Sequence, residues 1–117
     1  QRLVRSLCPS CRQPNPNAES ILANLPMALP AGCARELWRP VGCSRCNNTG
    51  YRGRIGIMEF LVLDPDYHRV ITESNDPVKL LKVAHDKGFL TMFEDGLQKC
   101  TRGETTLEEI YRVTSAA

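Results

Sequence analysis

Two pairs of cysteines with the spacing C-x-x-C constrain this chain more than any other sequence feature. The first pair is Cys8 and Cys11, and the second is Cys43 and Cys46. A C-x-x-C turn directs two sulfurs toward one point, so two such turns supply the four ligands of a tetrahedral site, and Zn²⁺ favours soft sulfur ligands. We therefore predict a structural zinc site formed by these four cysteines.

The two pairs are separated by a long segment. Between Cys11 and Cys43 lie 31 residues, whereas zinc ribbons usually have about 15 to 20 residues at this place. Prolines interrupt the segment, and hydrophobic periodicity is confined to Glu19–Leu25, which predicts one or two helical turns. We predict an insertion from about residue 8 to residue 46 whose two ends are held together by the metal.

Other chemistries for the cysteines remain open. The chain has six cysteines, an even number that is compatible with disulfides, and a C-x-x-C pair can also act as a redox dithiol. A catalytic zinc is disfavoured, because four thiolates leave no position for water and neither His68 nor His85 is near the cysteines in sequence. We expect Cys33 and Cys100 to be small, partly buried thiols.

Two segments have the pattern of β-strands. Residues Arg2–Leu7 alternate charged and apolar side chains in part. Residues Arg54–Leu63 are rich in branched and aromatic side chains and lack alternation after Glu59, which is typical of a strand covered on both faces. If the covering partners lie outside the chain, we expect an exposed edge that is prone to pairing or aggregation.

The last 54 residues predict about four helices. Asp-Pro start signals at Asp64-Pro65 and Asp76-Pro77 begin the first two, and Gly88 is expected to end the second. The third is predicted over Thr91–Thr101. The fourth begins at Thr105 or Thr106, with a capping-box glutamate three residues later at Glu108 or Glu109. Its expected buried residues are Leu107, Ile110, Tyr111 and Val113.

These patterns together predict an α+β fold: a small strand pair with a tetracysteine zinc-bound insertion, followed by a bundle of about four helices. We expect two units. Residues 1–63 would hold the strands and the insertion, and residues 64–117 would form a helical subdomain.

Several function classes are disfavoured by missing motifs. None of the eight glycines begins a phosphate loop G-x-x-x-x-G-K-[ST], and there is no G-x-S-x-G element, so we expect no catalytic residue in this stretch. No apolar run reaches the roughly 18 residues of a membrane-spanning helix. The chain begins at Gln1 without an initiator Met or a leader, which predicts that it is cut from a longer protein.

The charge is distributed unevenly. Residues 1–59 carry eight arginines against three acidic residues, or +5, whereas residues 60–117 carry seven basic residues against ten acidic ones, or −3. Aromatic residues and arginines mix near the second cysteine pair, a pattern compatible with nucleic-acid binding but equally with a solvated face or a protein interface. The residues concerned are Trp38, Arg39, Arg45, Tyr51, Arg52 and Arg54.

Two long motifs point to a known family. The first runs from Gln1-Arg2-Leu3-Val4-Arg5 through Cys8-Pro9-x-Cys11 to Arg39-Pro40-Val41-Gly42-Cys43-x-x-Cys46-x-x-Thr49-Gly50-Tyr51-Arg52-Gly53-Arg54-Ile55-Gly56-Ile57-x-Glu59. The second combines Gly88-x-x-Thr91-Met92-x-x-Asp95-Gly96-x-x-Lys99 with Gly103-Glu104-Thr105-Thr106-x-Glu108-Glu109-x-x-Arg112-Val113-Thr114. The chain closely resembles the C-terminal part of the type II secretion ATPases (general secretory pathway protein E) and of the related type IV pilus assembly ATPases.

The resemblance implies a RecA-like ATPase core whose last strands are neighbours and flank a tetracysteine zinc insertion, followed by a helical C-terminal subdomain. It implies that Cys8, Cys11, Cys43 and Cys46 are the metal ligands. ATP and Mg²⁺ would bind upstream of Gln1. The parent protein would be a hexamer on the cytoplasmic face of the inner membrane, in contact with the membrane platform of the secretion system and not with nucleic acid.

From this resemblance we expect a non-catalytic zinc module of a secretion ATPase that makes subunit or platform contacts. The run Glu59–Asp64 leans toward the type II secretion branch over the pilus branch. A zinc-ribbon nucleic-acid binder and a chaperone-like zinc domain are the alternatives, although the latter would need four cysteine-glycine repeats. Because the insertion has few apolar residues, we expect zinc, whose binding is worth about 10 to 16 kcal/mol, to supply its folding energy, and the loop to be disordered without metal.

Overall fold

The computed structural model describes residues 1–59, 65–73, 76–86 and 88–114. Short strands and one short helix occupy the first half of the chain, and the other helices of the described residues follow in the second half, which confirms the predicted α+β fold. The elements in chain order are β1 (Arg2–Leu7), β2 (Gln13–Pro14), α1 (Ala18–Ala23), β3 (Trp38–Arg39), β4 (Tyr51–Ile57), α2 (Pro65–Glu73), α3 (Pro77–Asp86), α4 (Met92–Thr101) and α5 (Leu107–Thr114).

Strands β1 and β4 form an antiparallel pair, as the resemblance implied. Val4 lies opposite Ile55, and a bulge interrupts the register between Arg5 and Leu7. The prediction for β4 needs correction: the strand begins at Tyr51 and ends at Ile57, and residues 60–63 lie outside the described part of the chain. Within the described residues, the face of β4 opposite the core is exposed, as at Arg54. Cover of that face by partners outside the chain stays a prediction.

The insertion is folded onto the rest of the protein. Strands β2 and β3 form a second antiparallel pair that the sequence did not predict, because two residues per strand leave no periodicity to detect. Helix α1 confirms the helical turns expected at Glu19–Leu25. Leu22 on α1 and Leu37 before β3 are both buried in the main core. The insertion is therefore held by apolar packing as well as by its two ends.

One hydrophobic core joins the strand pair, the insertion and the last two helices. It contains six buried residues: Val4, Leu22, Leu37, Ile57, Cys100 and Ile110. Helix α4 contacts β4 and α5 contacts β1, while α2 and α3 contact each other. The insertion is thus anchored to α4 and α5 through a shared core.

The predicted helix starts agree with the structure. The Asp76 carboxylate accepts a hydrogen bond from the Val78 N–H at 3.0 Å, and Thr91 forms a reciprocal capping box with Glu94. Thr106 Oγ1 accepts from the Glu109 N–H at 3.4 Å, which selects Thr106 over Thr105 as the start of α5. The Asp64 start signal lies outside the described residues.

The buried face of α5 differs from the prediction. Tyr111, predicted in the core, is 44% exposed. Its ring contacts that of Phe93, with centroids 5.3 Å apart, and Phe93 packs against the core. Glu109 occupies the interior instead and is 2% exposed. A carboxylate is buried in this way only where hydrogen bonds and opposite charges satisfy it.

Candidate metal centre

The four cysteines of the two C-x-x-C pairs meet at one place. All four sulfurs lie within 4.8 Å of one another. The Sγ atoms of Cys8 and Cys43, and those of Cys11 and Cys46, are 3.8 Å apart, and those of Cys43 and Cys46 are 3.7 Å apart. A tetrahedral ion with metal–sulfur bonds of about 2.3 Å places its ligands about 3.8 Å apart. The cluster therefore fits a four-coordinate, thiophilic metal ion.

The first turn of the site follows directly from strand β1. The Cys8 N–H donates to the carbonyl of Gly50 at 3.0 Å, which ties the first cysteine to the residue that precedes β4. The Cys8 carbonyl then accepts from the N–H groups of Cys11 at 3.4 Å and Arg12 at 3.0 Å. These bonds close the turn and place the Cys8 and Cys11 sulfurs on the same side.

The second turn is built by a short 3₁₀ segment, Ser44–Cys46. The Cys43 carbonyl accepts from the N–H of Cys46 at 3.3 Å and from that of Asn48 at 2.8 Å. Asn47 and Asn48 both adopt left-handed backbone conformations, which asparagine tolerates better than most residues. The chain can therefore reverse tightly after Cys46 and enter β4.

Backbone N–H groups point at the sulfurs. The Gly42 N–H donates to Cys11 Sγ at 3.3 Å, and the N–H groups of Cys43 and Gly50 donate to Cys46 Sγ at 3.3 and 3.2 Å. A donor near a sulfur favours the thiolate over the neutral thiol. These backbone donors favour the thiolate at Cys11 and Cys46, against the opposing effect of burial.

The sulfurs also influence one another. Burial raises the pKa of Cys46, but the hydrogen bonds from Cys43 and Gly50 outweigh it and lower the pKa of this thiol to about 6. The Gly42 N–H lowers the pKa of Cys11, yet burial and the nearby Cys46 raise it to about 11. Burial raises the pKa of Cys8, but hydrogen bonds from the Ser10 backbone and from Cys43 outweigh it and lower that pKa. Cys8 and Cys46 thus favour the thiolate while Cys11 resists it, and a cation at the centre of the cluster would be needed to hold four thiolates together.

The geometry bears on the disulfide alternative for the six cysteines. Sulfurs 3.7 to 3.8 Å apart are not disulfide-bonded, since that bond is about 2.05 Å long, and all six residues are free thiols. Cys33 is half-buried and Cys100 is fully buried in the core, where burial raises its thiol pKa to about 12. Both lie apart from the cluster, which agrees with their expected role as small packing residues.

Within the described residues, the cysteine tetrad is the one group of three or more metal-capable side chains. His68 lies exposed on α2, and His85 lies on α3 with its side chain outside the described part. A shell of four sulfurs leaves no place for a substrate or water on the ion. The arrangement is suited to holding structure together rather than to catalysis.

Three of the six aromatic and arginine residues near the tetrad, Trp38, Arg39 and Tyr51, are engaged by the chain itself. The guanidinium of Arg12 lies 4.7 Å from the centre of the Trp38 ring, and that of Arg5 lies 4.1 Å from the centre of the Tyr51 ring. Arg39 donates to the Gln13 side chain at 2.8 Å. The remaining members of this group, Arg45, Arg52 and Arg54, are exposed.

Sequence reasoning did not identify two residues that connect the site to the helices. Glu109 binds Arg5 on β1 and Arg112 on α5, and Arg12 binds the backbone after α4. For Glu109 the signal was the capping box, which indicated a local role only. For Arg12 the signal was its position directly after the second cysteine of the first C-x-x-C pair.

In the described part of the chain, no helix combines the length and the apolar character needed to cross a membrane.

Comparison with known proteins places these features in a family. Residues 1–112 match the family described as "Type II/IV secretion system protein". The chain is 41% identical to the type II secretion system protein E of Aeromonas hydrophila over 114 residues, which are 97% of this chain and 22% of that protein. It is 38% identical to the type IV pilus assembly ATPase PilB of Thermus thermophilus over 115 residues, 97% of this chain and 13% of that protein. The chain therefore spans about a fifth or less of the length of these relatives.

Proposed function

Since the chain belongs to the type II/IV secretion system protein family, we propose that it is a non-catalytic, zinc-stabilised module of an ATPase that powers type II protein secretion. The same module in a type IV pilus assembly ATPase is the closest alternative, since relatives of both kinds match over 97% of the chain. The observation that carries the proposal is the meeting of four cysteine sulfurs within 4.8 Å of one another, three of the pairs at 3.7 to 3.8 Å, in a chain of this family.

The metal we propose is Zn²⁺, bound by Cys8, Cys11, Cys43 and Cys46. Four thiolates suit zinc because it favours tetrahedral sulfur coordination and has no redox chemistry of its own. When bound, it would neutralise the thiolates and fix the two turns in one orientation. The residues around it would then hold the insertion against α4 and α5, so that the module moves as one body.

We place the binding of ATP and Mg²⁺ outside residues 1–117, in the remainder of a longer protein. The absence of a phosphate-loop sequence from the chain supports this, as does the small fraction of each relative that the chain covers. The module itself would transmit movement rather than generate it.

The contacts we propose are with other copies in a homo-hexamer and with the inner-membrane secretion platform, from a position on the cytoplasmic side. The uneven charge supports an interface of this kind, since the first 59 residues carry +5 and the rest −3. Opposite charges on different parts of one chain favour association between copies in a defined orientation. Native mass spectrometry of the full-length protein tests the hexamer.

Nucleic-acid binding is the competing function, and the structure gives a reason to disfavour it. Single-stranded nucleic acids are held by exposed aromatic faces on which bases stack. Trp38 and Tyr51 each have a ring covered by an arginine of the same chain. Binding to an oligonucleotide at low salt that falls steeply as salt rises would contradict the proposal.

The main test replaces Cys43 and Cys46 by serine in the full-length protein. We expect loss of about one zinc per chain and loss of protein secretion, or of pilus assembly for the alternative branch, in cells that carry the variant. Cys33→Ser is the matched control and should retain both zinc and activity, because Cys33 lies outside the tetrad. If the double variant keeps normal zinc content or normal export, the proposed role of the site is wrong.

A further inference from the structure

The residues on either side of the first cysteine turn both bind the backbone that follows helix α4. Leu7, directly before Cys8, donates its N–H to the carbonyl of Glu104 at 2.9 Å. Arg12, directly after Cys11, donates from its guanidinium to the carbonyls of Gly103 at 2.5 Å and Arg102 at 3.4 Å. The turn Arg102–Glu104 is therefore held at two points by the segment that carries two of the four sulfurs.

The position of Arg12 depends on the cysteine turn. Its backbone N–H donates to the Cys8 carbonyl at 3.0 Å, within the same set of bonds that closes the turn. Its guanidinium packs over the Trp38 ring, with Cζ 4.7 Å from the ring centroid, on its way to the end of α4. A change in the orientation of Cys8 and Cys11 would move the start of this side chain.

The receiving turn is shaped for the contact. Gly103 has a φ of +78°, and a Cβ at this position would collide with Arg12 Nη1 and lie 3.1 Å from Trp38 Cδ1. The carbonyls that Arg12 reaches lie at the carboxyl end of α4, which carries the partial negative charge of the helix. A cation placed there caps the helix and satisfies carbonyls that have no partner within it.

We propose that Arg12 couples metal binding at the cysteines to the order of the Arg102–Glu104 turn, and so to the docking of α4 and α5. This inference rests on the proposed metal site. Metal binding would fix the cysteine turn, which would fix Arg12 against the helix end. By linkage, zinc would bind the protein with the Arg102–Glu104 turn closed more tightly than with the turn open, by the same factor by which zinc favours closure of the turn.

The test measures amide hydrogen exchange of residues 102–106 in the full-length protein, with Zn²⁺ bound and after its removal by a chelator. In the unaltered protein we expect exchange in this segment to become at least about tenfold faster when zinc is removed. In Arg12→Ala it should already be fast with zinc bound, and a chelator competition assay should show zinc affinity at least about fivefold weaker, the lower end of typical coupling.

The matched control is Arg45→Ala, which also removes a positive charge next to metal-binding cysteines, from an exposed position between Cys43 and Cys46. It should leave exchange in residues 102–106 unchanged. Arg12→Lys keeps the charge without the planar fork and should give an intermediate result. If Arg12→Ala does not fold, Arg12→Lys replaces it in the test: with zinc bound, residues 102–106 of Arg12→Lys should exchange faster than in the unaltered protein.

The coupling is wrong if zinc-loaded Arg12→Ala protects residues 102–106 as well as the unaltered protein, or if Arg45→Ala has an equal effect. It is also wrong if the unaltered protein binds zinc but the exchange of this segment does not respond to the metal, a result that leaves the proposed function intact. Failure of the unaltered protein to bind zinc would instead overturn both.

Discussion

The carboxylate of Glu109 accepts a hydrogen bond from the backbone N–H of Arg5 at 2.7 Å, across a separation of 104 positions in the chain. The Arg5 guanidinium reaches the same carboxylate at 3.1 Å, and Arg112 adds two further bonds at 3.0 and 3.3 Å. Burial raises the pKa of Glu109, but the bonds from Arg112 and Arg5 outweigh it and lower that pKa to about 2. Glu109 therefore fastens the first turn of α5 to the outer edge of β1.

Replacement of Glu109 by glutamine should destabilise the protein at neutral pH. The amide keeps the size of the side chain but loses the charge. Its NH2 group would also replace one carboxylate oxygen, so that a donor would face the donors of Arg5 or Arg112. Hydrogen bonds to a charged group contribute about 1.5 to 3 kcal/mol each, so we expect a loss of about 2 kcal/mol. Urea unfolding at pH 7 measures it. The exposed neighbour supplies the control, Glu108→Gln, which should change stability little.

The difference in stability between the unaltered protein and Glu109→Gln should depend on pH. The carboxyl of Glu109 titrates near pH 4.3 in an unfolded chain and at about 2 in the folded protein. A lowered folded pKa gives stability that is complete above the unfolded pKa and is lost as the pH falls toward the folded one. The stability gap between the unaltered protein and Glu109→Gln should thus shrink between about pH 5 and pH 2. A gap that stays constant over this range would refute the assignment.

Glu109 also shows where sequence reasoning reached its limit. The pattern Thr106-x-x-Glu109 correctly predicted the beginning of α5, because a capping box is a local device. The pattern could not show that the glutamate would be buried, since its partner on β1 is 104 positions away. The same reasoning assigned Tyr111 to the core from helical spacing alone, and that spacing could not show that Phe93 on α4 would pack against the core while Tyr111 contacts Phe93 from an exposed position.

In the insertion, too, one feature was predictable from the sequence and another was not. The two C-x-x-C pairs predicted the meeting of four sulfurs because each turn is local and the chemistry of sulfur and zinc requires the rest. The burial of Leu22 and Leu37 in the core had no comparable signal, since prolines interrupt the segment and its apolar residues follow no period. Given this packing, chelation should loosen the two cysteine turns more than α1, rather than disorder the whole insertion as the sequence suggested.

Gly50 is predicted to be the least replaceable glycine near the metal centre. Its carbonyl accepts from Cys8 and its N–H donates to Cys46 Sγ, so it touches both cysteine turns. A Cβ at Gly50 would collide with Pro40 Cβ. Gly50→Ala should therefore lower stability through both steric conflict and a positive φ, by about 2 to 4 kcal/mol, and weaken zinc binding.

Gly53→Ala is the control for Gly50→Ala. Gly53 has a φ of +77°, close to the +82° of Gly50, but a Cβ there would meet nothing within 4 Å. Gly53→Ala should lower the free energy of unfolding by about 1 kcal/mol, through the strain of a positive φ alone, and should leave zinc affinity unchanged. Thermal unfolding and chelator competition measure both quantities. Equal effects of the two substitutions would show that the contact with Pro40 is unimportant.

Lys99 protects an edge that would otherwise be open. Its ammonium donates to the carbonyl of Gly56 on β4 at 2.8 Å and pairs with Asp95 at 2.8 Å, while Asp95 accepts from the Met58 N–H. Lys99→Met should lower stability by about 1 kcal/mol and increase aggregation, measured by light scattering during heating, because unpaired strand edges promote association. Lys82→Met on the exposed side of α3 is the control; if both variants aggregate alike, added surface hydrophobicity is the cause.

Gly96 allows α4 and α5 to approach closely, and its replacement should reverse the usual effect of alanine. Glycine to alanine within a helix normally stabilises by about 0.5 to 1 kcal/mol. A Cβ at Gly96 would, however, lie 2.5 Å from Cδ1 of the buried Ile110. Forcing an extra methyl group into such a contact costs about 1 to 3 kcal/mol, so Gly96→Ala should destabilise the protein.

A double-mutant cycle with Ile110→Val tests this contact, because valine lacks the Cδ1 atom that alanine would meet. Ile110→Val alone should cost about 1 kcal/mol by leaving a small cavity. In the double variant the new methyl group occupies part of that space, so the combined loss should be smaller than the sum of the single losses by at least about 1 kcal/mol. Urea unfolding of the four proteins gives the comparison. Strict additivity would mean that α5 moves away from α4 to accommodate alanine, and that the close packing at Gly96 does not fix the spacing of the two helices.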